Sequence, residues 1–122
     1  MDIRIERIAP IDLKAPLSAY SLMAPALDAA AVDAVSIEDA HRHNDLSLIE
    51  LFKNTIVILG VIGIAQTRIE TIDEIESRLR EALSHIEKER LIAAPDCGLG
   101  LLSRETVLAK LSHLTQAVKR IG

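Results

Sequence analysis

The sequence predicts an α/β fold of about three βα units with parallel strands, preceded by a less regular helical segment. Three observations carry this reading. Short apolar runs at Val32–Glu38, Thr55–Ala65 and Leu91–Ala94 alternate with stretches of helical periodicity. The units follow one another at about 30 residues, the length of a strand plus its crossover helix. The middle run is β-branched and apolar without polar alternation, the profile of a strand covered on both faces of a parallel sheet.

Ile3, Ile5 and Ile8 hint at a short strand, which Pro10 and Pro16 keep from extending. Leu17 to Ala31 is alanine-rich and helical in composition, and Pro25 is expected to kink or divide it. Residues 1–31 thus read as a leader and 32–122 as the βα units of a single domain. Val32–Glu38 ends in a carboxylate and is followed by the polar loop His41-Arg42-His43-Asn44-Asp45. Leu46, Ile49, Leu51 and Phe52 mark a short helix capped by Asn44 or Asp45. Thr71 and Glu74 have capping-box spacing, and Ile72, Ile75, Leu79, Leu83 and Ile86 form one apolar stripe behind them. The other face, with Asp73, Glu76, Arg78, Arg80 and Glu81, reads as solvated. Pro95 closes the third strand, Gly98 and Gly100 permit a tight turn, and Ser103 caps a last helix with the stripe Val107, Leu111, Leu114, Val118 and Ile121.

Composition excludes several classes of function. With 14 Lys+Arg against 18 Asp+Glu the net charge is -4, the wrong sign for a nucleic-acid surface. Aromatic residues make up 2%, which leaves no platform for stacking bases. The apolar run Ile56–Ala65 is about half the roughly 20 residues that a membrane helix requires. The charged start Met1-Asp2-Ile3-Arg4 lacks the apolar stretch of a secretion signal, and one cysteine cannot build an internal disulfide framework. The expectation is a soluble cytoplasmic protein with neither nucleic-acid nor membrane partners. There is no G-x-G-x-x-G, no G-K-[ST] and no G-x-S-x-G.

The candidate chemistry lies at the strand ends. Glu38 closes the first apolar run and Cys97 follows the third, so both fall on the rim where parallel α/β folds place their sites. Strands two apart are separated by about 9–10 Å, a gap that a Glu and a Cys can bridge around one Zn²⁺. Each residue also has an ordinary reading: a carboxylate at a strand end is commonly a hydrogen-bonded structural group, and a lone cysteine commonly a small core residue. His41 and His43 are further candidate imidazole ligands. His85 and His113 read as helical and ordinary, and Arg68 as a solvated cation able to meet an anionic ligand.

Several segments together resemble the catalytic domain of the cobalamin-independent methionine synthase family. They are Val35-Ser36-Ile37-Glu38, Asp45-Leu46, Leu59-Gly60-Val61-Ile62, Arg68-Ile69-Glu70, Glu89-Arg90-Leu91 and, most specifically, Ala94-Pro95-Asp96-Cys97-Gly98-Leu99. The resemblance runs from about Val32 to the C-terminus. It implies a partial (β/α)8 barrel, corresponding to the C-terminal portion of that domain. The implied reaction moves a methyl group from 5-methyltetrahydrofolate, usually polyglutamylated, to homocysteine, with zinc and without cobalamin. By the same resemblance Glu38 and Cys97 match two of the family's zinc ligands, and the metal would activate the substrate thiolate.

The sequence also departs from the family. A His-x-Cys pair belongs some twenty-odd residues before Glu38, where this chain reads Asp12-Leu13-Lys14-Ala15-Pro16-Leu17. Ile64-Ala65-Gln66-Thr67-Arg68 stands where many members have Asp and His-Ser. The chain is therefore expected to be a truncated member of the family, with self-association or a partner chain covering the open sheet. The alternatives are a non-catalytic remnant acting as an interaction module, or a methyltransferase for another thiol acceptor.

Overall fold

A computed structural model describes residues 8–11, 17–29, 32–40, 43, 45–96 and 98–122. Its elements are β1 (Ile8–Ile11), α1 (Leu17–Ala29), β2 (Ala34–Glu38), a 3-10 helix (Leu46–Leu51), β3 (Ile56–Ile62), α2 (Ile72–Ala82), a 3-10 turn (Lys88–Arg90), β4 (Leu91–Pro95) and α3 (Arg104–Ile121). The strands form one sheet in the order β1-β2-β3-β4, and every neighbouring pair is parallel. The protein is thus an α/β fold in which each strand lies beside its successor.

Alternation along the strands sorts the two faces of the sheet. Val35 and Ile37 of β2 and Val57, Leu59 and Val61 of β3 are buried beneath the helices, in a core shared with Ile75, Leu79, Leu114 and Phe52. Ser36, Glu38, Ile56, Ile58, Ile92 and Ala94 alternate with them and are half-buried. The register between β3 and β4 shifts between Gly60 and Ile62.

Most expected boundaries hold within a residue or two, and the exceptions have physical causes. The leader contains an ordered strand and helix. Pro10 lies within β1, a strand paired with β2 and with no second neighbour among the described residues, the edge position at which strands accept proline. Pro25 does not divide α1: Ala24 and Leu27 pack on the core and hold the helix through it. The second helix is shorter than its apolar stripe. It ends at Ala82, where the Ser84 and His85 amides donate to the Glu81 and Ala82 carbonyls, and Ile86 is buried from beyond it. His85 is accordingly not helical; its Nδ1 lies 2.6 Å from the Glu50 carboxylate. On α3 the buried positions are Lys110, Leu114 and Ala117, while Val118 is 43% exposed, so the buried face is rotated from the expected stripe.

The three caps legible in the sequence are present. Thr71 and Glu74 form a reciprocal capping box, and Ser103 Oγ accepts the Thr106 amide at 3.2 Å. Asp45 caps the 3-10 helix through the Ser47 amide.

Candidate functional site

The C-terminal ends of β2, β3 and β4 share one rim, built from Glu38 to Ala40, the connection from Gly63 to Glu70, and Asp96. Glu38 stands at the last position of β2, in register with Gly60 of β3. The next residue, Asp39, is fully buried and takes a two-pronged ion pair from α2: Arg78 Nε donates to Oδ2, and Arg78 Nη2 donates to Oδ1 at 2.8 Å. Burial pulls the Arg78 pKa down, but the hydrogen bond and charge of Asp39, with help from Glu81, hold it above its ordinary value. The helical periodicity alone assigns Arg78 to the solvated face. Its side chain is only 14% exposed, because Asp39 points toward the helix layer and draws the guanidinium inward.

Asp96 joins this rim from the other side. Its Oδ1 accepts the Asp39 amide at 3.2 Å and the Ala40 amide at 3.1 Å, and its own amide donates to the Ile62 carbonyl at 3.0 Å. The β3–α2 connection is fixed from α3. The Glu70 carboxylate accepts the Gly63 amide at 2.6 Å and Lys110 Nζ at 2.9 Å, and Lys110 also donates to the Arg68 carbonyl at 2.7 Å. His113 Nδ1 lies 2.7 Å from the Glu70 carbonyl, so this helical histidine meets the same connection.

Between the end of β2 and that connection lies a cleft of about 240 Å³, lined among others by Asp39, His43, Gly63, Arg68, Glu74 and Arg78. Its charges are largely matched within the protein. Arg68, read from sequence as an anion-meeting cation, pairs with Glu74. His43 is exposed at the edge of the cleft.

Of the residues singled out as metal ligands, Glu38 is thus at the expected rim and His43 at its border. Cys97 and His41 lie outside the described residues. Among the described residues no group of three or more His, Cys, Asp and Glu side chains could hold a metal ion. A catalytic zinc site uses three protein ligands, so these residues do not by themselves make one. Asp39, Asp96, Lys110 and Glu70 are rim residues that no local sequence motif marks as such. The signal that could have found Lys110 is its spacing of four and seven from Leu114 and Ala117 on an otherwise apolar face.

The sequence profile of the family described as the cobalamin-independent synthase catalytic domain matches residues 11–120. The chain belongs to that family. Among its curated relatives, the methionine synthase of Pyrococcus abyssi is 34% identical over 103 residues, which is 84% of this chain and 30% of the relative. The methionine synthase of Pyrococcus furiosus is 30% identical over 105 residues, 85% of this chain and 31% of the relative. A 5-methyltetrahydropteroyltriglutamate–homocysteine methyltransferase of Streptococcus suis is 38% identical over 105 residues, 84% of this chain and 14% of that enzyme. The solved B12-independent methionine synthase of a Shewanella species, in complex with selenomethionine, superposes with a TM-score of 0.78 at 29% identity. That match covers 84% of this chain and 30% of the Shewanella protein. This member of the cobalamin-independent synthase family therefore spans about a third or less of the relatives it matches. No helix among the described residues is long and apolar enough to cross a membrane.

Proposed function

We propose that this chain supplies the βα units of a methionine-synthase-type barrel that carry the Glu38 rim, and that the barrel moves a methyl group from a methyltetrahydropteroylglutamate to homocysteine. The observation that carries this reading is the superposition of its parallel units on a B12-independent methionine synthase at 29% identity. The chain's part is positional. The rim is fixed by buried groups on both sides of Glu38, and pre-set polar groups are what a transfer between two bound substrates requires. Glu38 and Cys97 are the donors this chain offers to a zinc ion, and the remaining ligands come from outside its described residues. The half-buried sheet face around Ser36, Ile58 and Ile92 is covered by another copy or by a chain carrying further units, in the cytoplasm.

The direct test is production of methionine from homocysteine and methyltetrahydropteroyltriglutamate, with zinc analysis of chelator-free protein beside it. Methionine formation lost in Glu38→Gln, and stoichiometric zinc lost in Cys97→Ala, are the expected results. A second reading is favoured by the lack of a three-donor cluster among the described residues: a non-catalytic module of the same fold. Absence of zinc, with Cys97→Ala as stable as wild type and no methionine formed, selects it.

A further inference from the structure

We infer that Asp96 is a positioning residue that sets the spacing between the ends of β2 and β4, the first closing on Glu38 and the second lying two positions before Cys97 in the chain. The inference rests on the proposed function for what is positioned, and on three observations for how.

The first is the choice of residue at position 60. A Cβ added to Gly60 would stand 2.2 Å from Asp96 Oδ1 and 2.8 Å from Asp96 Cα. Asp96, the residue that follows β4, therefore lies directly over β3, and the absent side chain is what admits it. Gly60 pairs in register with Glu38, so the crossing takes place on the face toward which Glu38 alternates.

The second is what the carboxylate does after crossing. Asp96 is 6% exposed, and its Oδ1 reaches past β3 to the Asp39 and Ala40 amides of the β2 end. Those amides also bond the Gly60 carbonyl at 3.1 and 3.0 Å, so each is shared between β3 and Asp96. Taking a carboxylate out of water is costly, and these amides already have a partner in Gly60. What the Asp96 carboxylate adds is a tie between strands that are not neighbours in the sheet.

The third is the state of Asp39. Its amide faces Asp96 while its carboxylate is gripped by Arg78 of α2. Ile37, on the other side of Glu38, is sealed in the core. The backbone that bears Glu38 is thus held on both sides, and one of its holders is the residue preceding Cys97.

Because Cys97 is the chain's single cysteine, thiol labelling reports on that position alone. Under native conditions Asp96→Ala is expected to change the labelling rate by about tenfold, the factor carried by about one lost hydrogen bond to a charged group. Asp96→Asn, which keeps an oxygen in place, should return the rate to within about twofold of wild type. Leu114→Ala, which lowers stability from α3, should label at the wild-type rate. If Asp96→Ala does not fold, Asp96→Ser reads the same restraint. A wild-type rate in Asp96→Ala or Asp96→Ser, an equal change in Leu114→Ala, or no rescue by Asp96→Asn overturns the inference. Labelling needs neither methyl donor nor acceptor, so failure of the proposed reaction and failure of the positioning role are separately visible.

Discussion

Lys110 and Glu70 form an ion pair between the middle of α3 and the β3–α2 connection, with Nζ and Oε1 2.9 Å apart. The Lys110 side chain is fully shielded from solvent, and that of Glu70 is 15% exposed. The second carboxylate oxygen takes the Gly63 amide, so one acid ties the first residue after β3 to the last helix. The pair acts as a clamp on the whole β3–α2 connection, one wall of the rim cleft.

Removing one partner of such a pair strands the other. Lys110→Met is expected to lower stability by about 3 kcal/mol, measured as the urea unfolding midpoint at constant slope. Glu70→Gln keeps an acceptor for the Gly63 amide and should cost less, and the double variant should be more stable than the sum of the two losses. Strict additivity would show that the clamp is not a coupled unit.

Arg78 and Asp39 make the corresponding contact on the β2 side. Arg78→Met leaves a fully buried carboxylate without its guanidinium, and a loss of about 3–5 kcal/mol is expected. Arg78→Lys retains the charge but not the fork, and should fall between the two. Chemical denaturation of the three proteins at neutral pH ranks them; equal stability of Met and Lys variants would show that shape, not charge, matters at this position.

Asp28 supplies the pH prediction. Near the end of α1 it accepts the Thr55 hydroxyl at 2.6 Å and the amides of Lys53, Asn54 and Thr55, at 3.2, 2.9 and 3.0 Å. Burial pushes its carboxyl up, but the Thr55 hydroxyl and the three amides together hold it below the ordinary 3.8. A depressed folded value means that the stabilisation is complete above the unfolded pKa and drains away as pH falls through the folded one. Thermal stability should therefore decline from about pH 5 toward about pH 3, and Asp28→Asn should flatten part of that decline. An unchanged slope in the variant would remove Asp28 from the account.

Thr71→Ala removes one half of the capping box at α2. A loss of about 1 kcal/mol is expected, read from thermal or urea unfolding, with the α2 amides exchanging faster than those of α3. An effect spread evenly over both helices would place the damage elsewhere.

The strands and caps were legible in the sequence because they follow from local rules: β-branched runs between breakers, and Thr71–Glu74 and Ser103 at cap spacing. Pro25 leaves α1 undivided because packing, with Ala24 held at the core, outweighs the local rule. The rim was only half legible. Glu38 could be found because it ends an apolar run, whereas Asp39, Asp96 and Lys110 owe their roles to partners 39 to 57 positions away in the chain. No periodicity announces such a pairing. The placement of Arg78 on a solvated face failed for the same reason: its partner belongs to another unit.

The sheet order bears on how the protein comes to be folded. With every strand seated next to the one that precedes it, a nascent chain can lay each unit onto a finished edge as it emerges from the ribosome. Vectorial growth of this kind calls for no rethreading, and a unit can be gained or shed at either border of the sheet without disturbing the pairing of those already laid down.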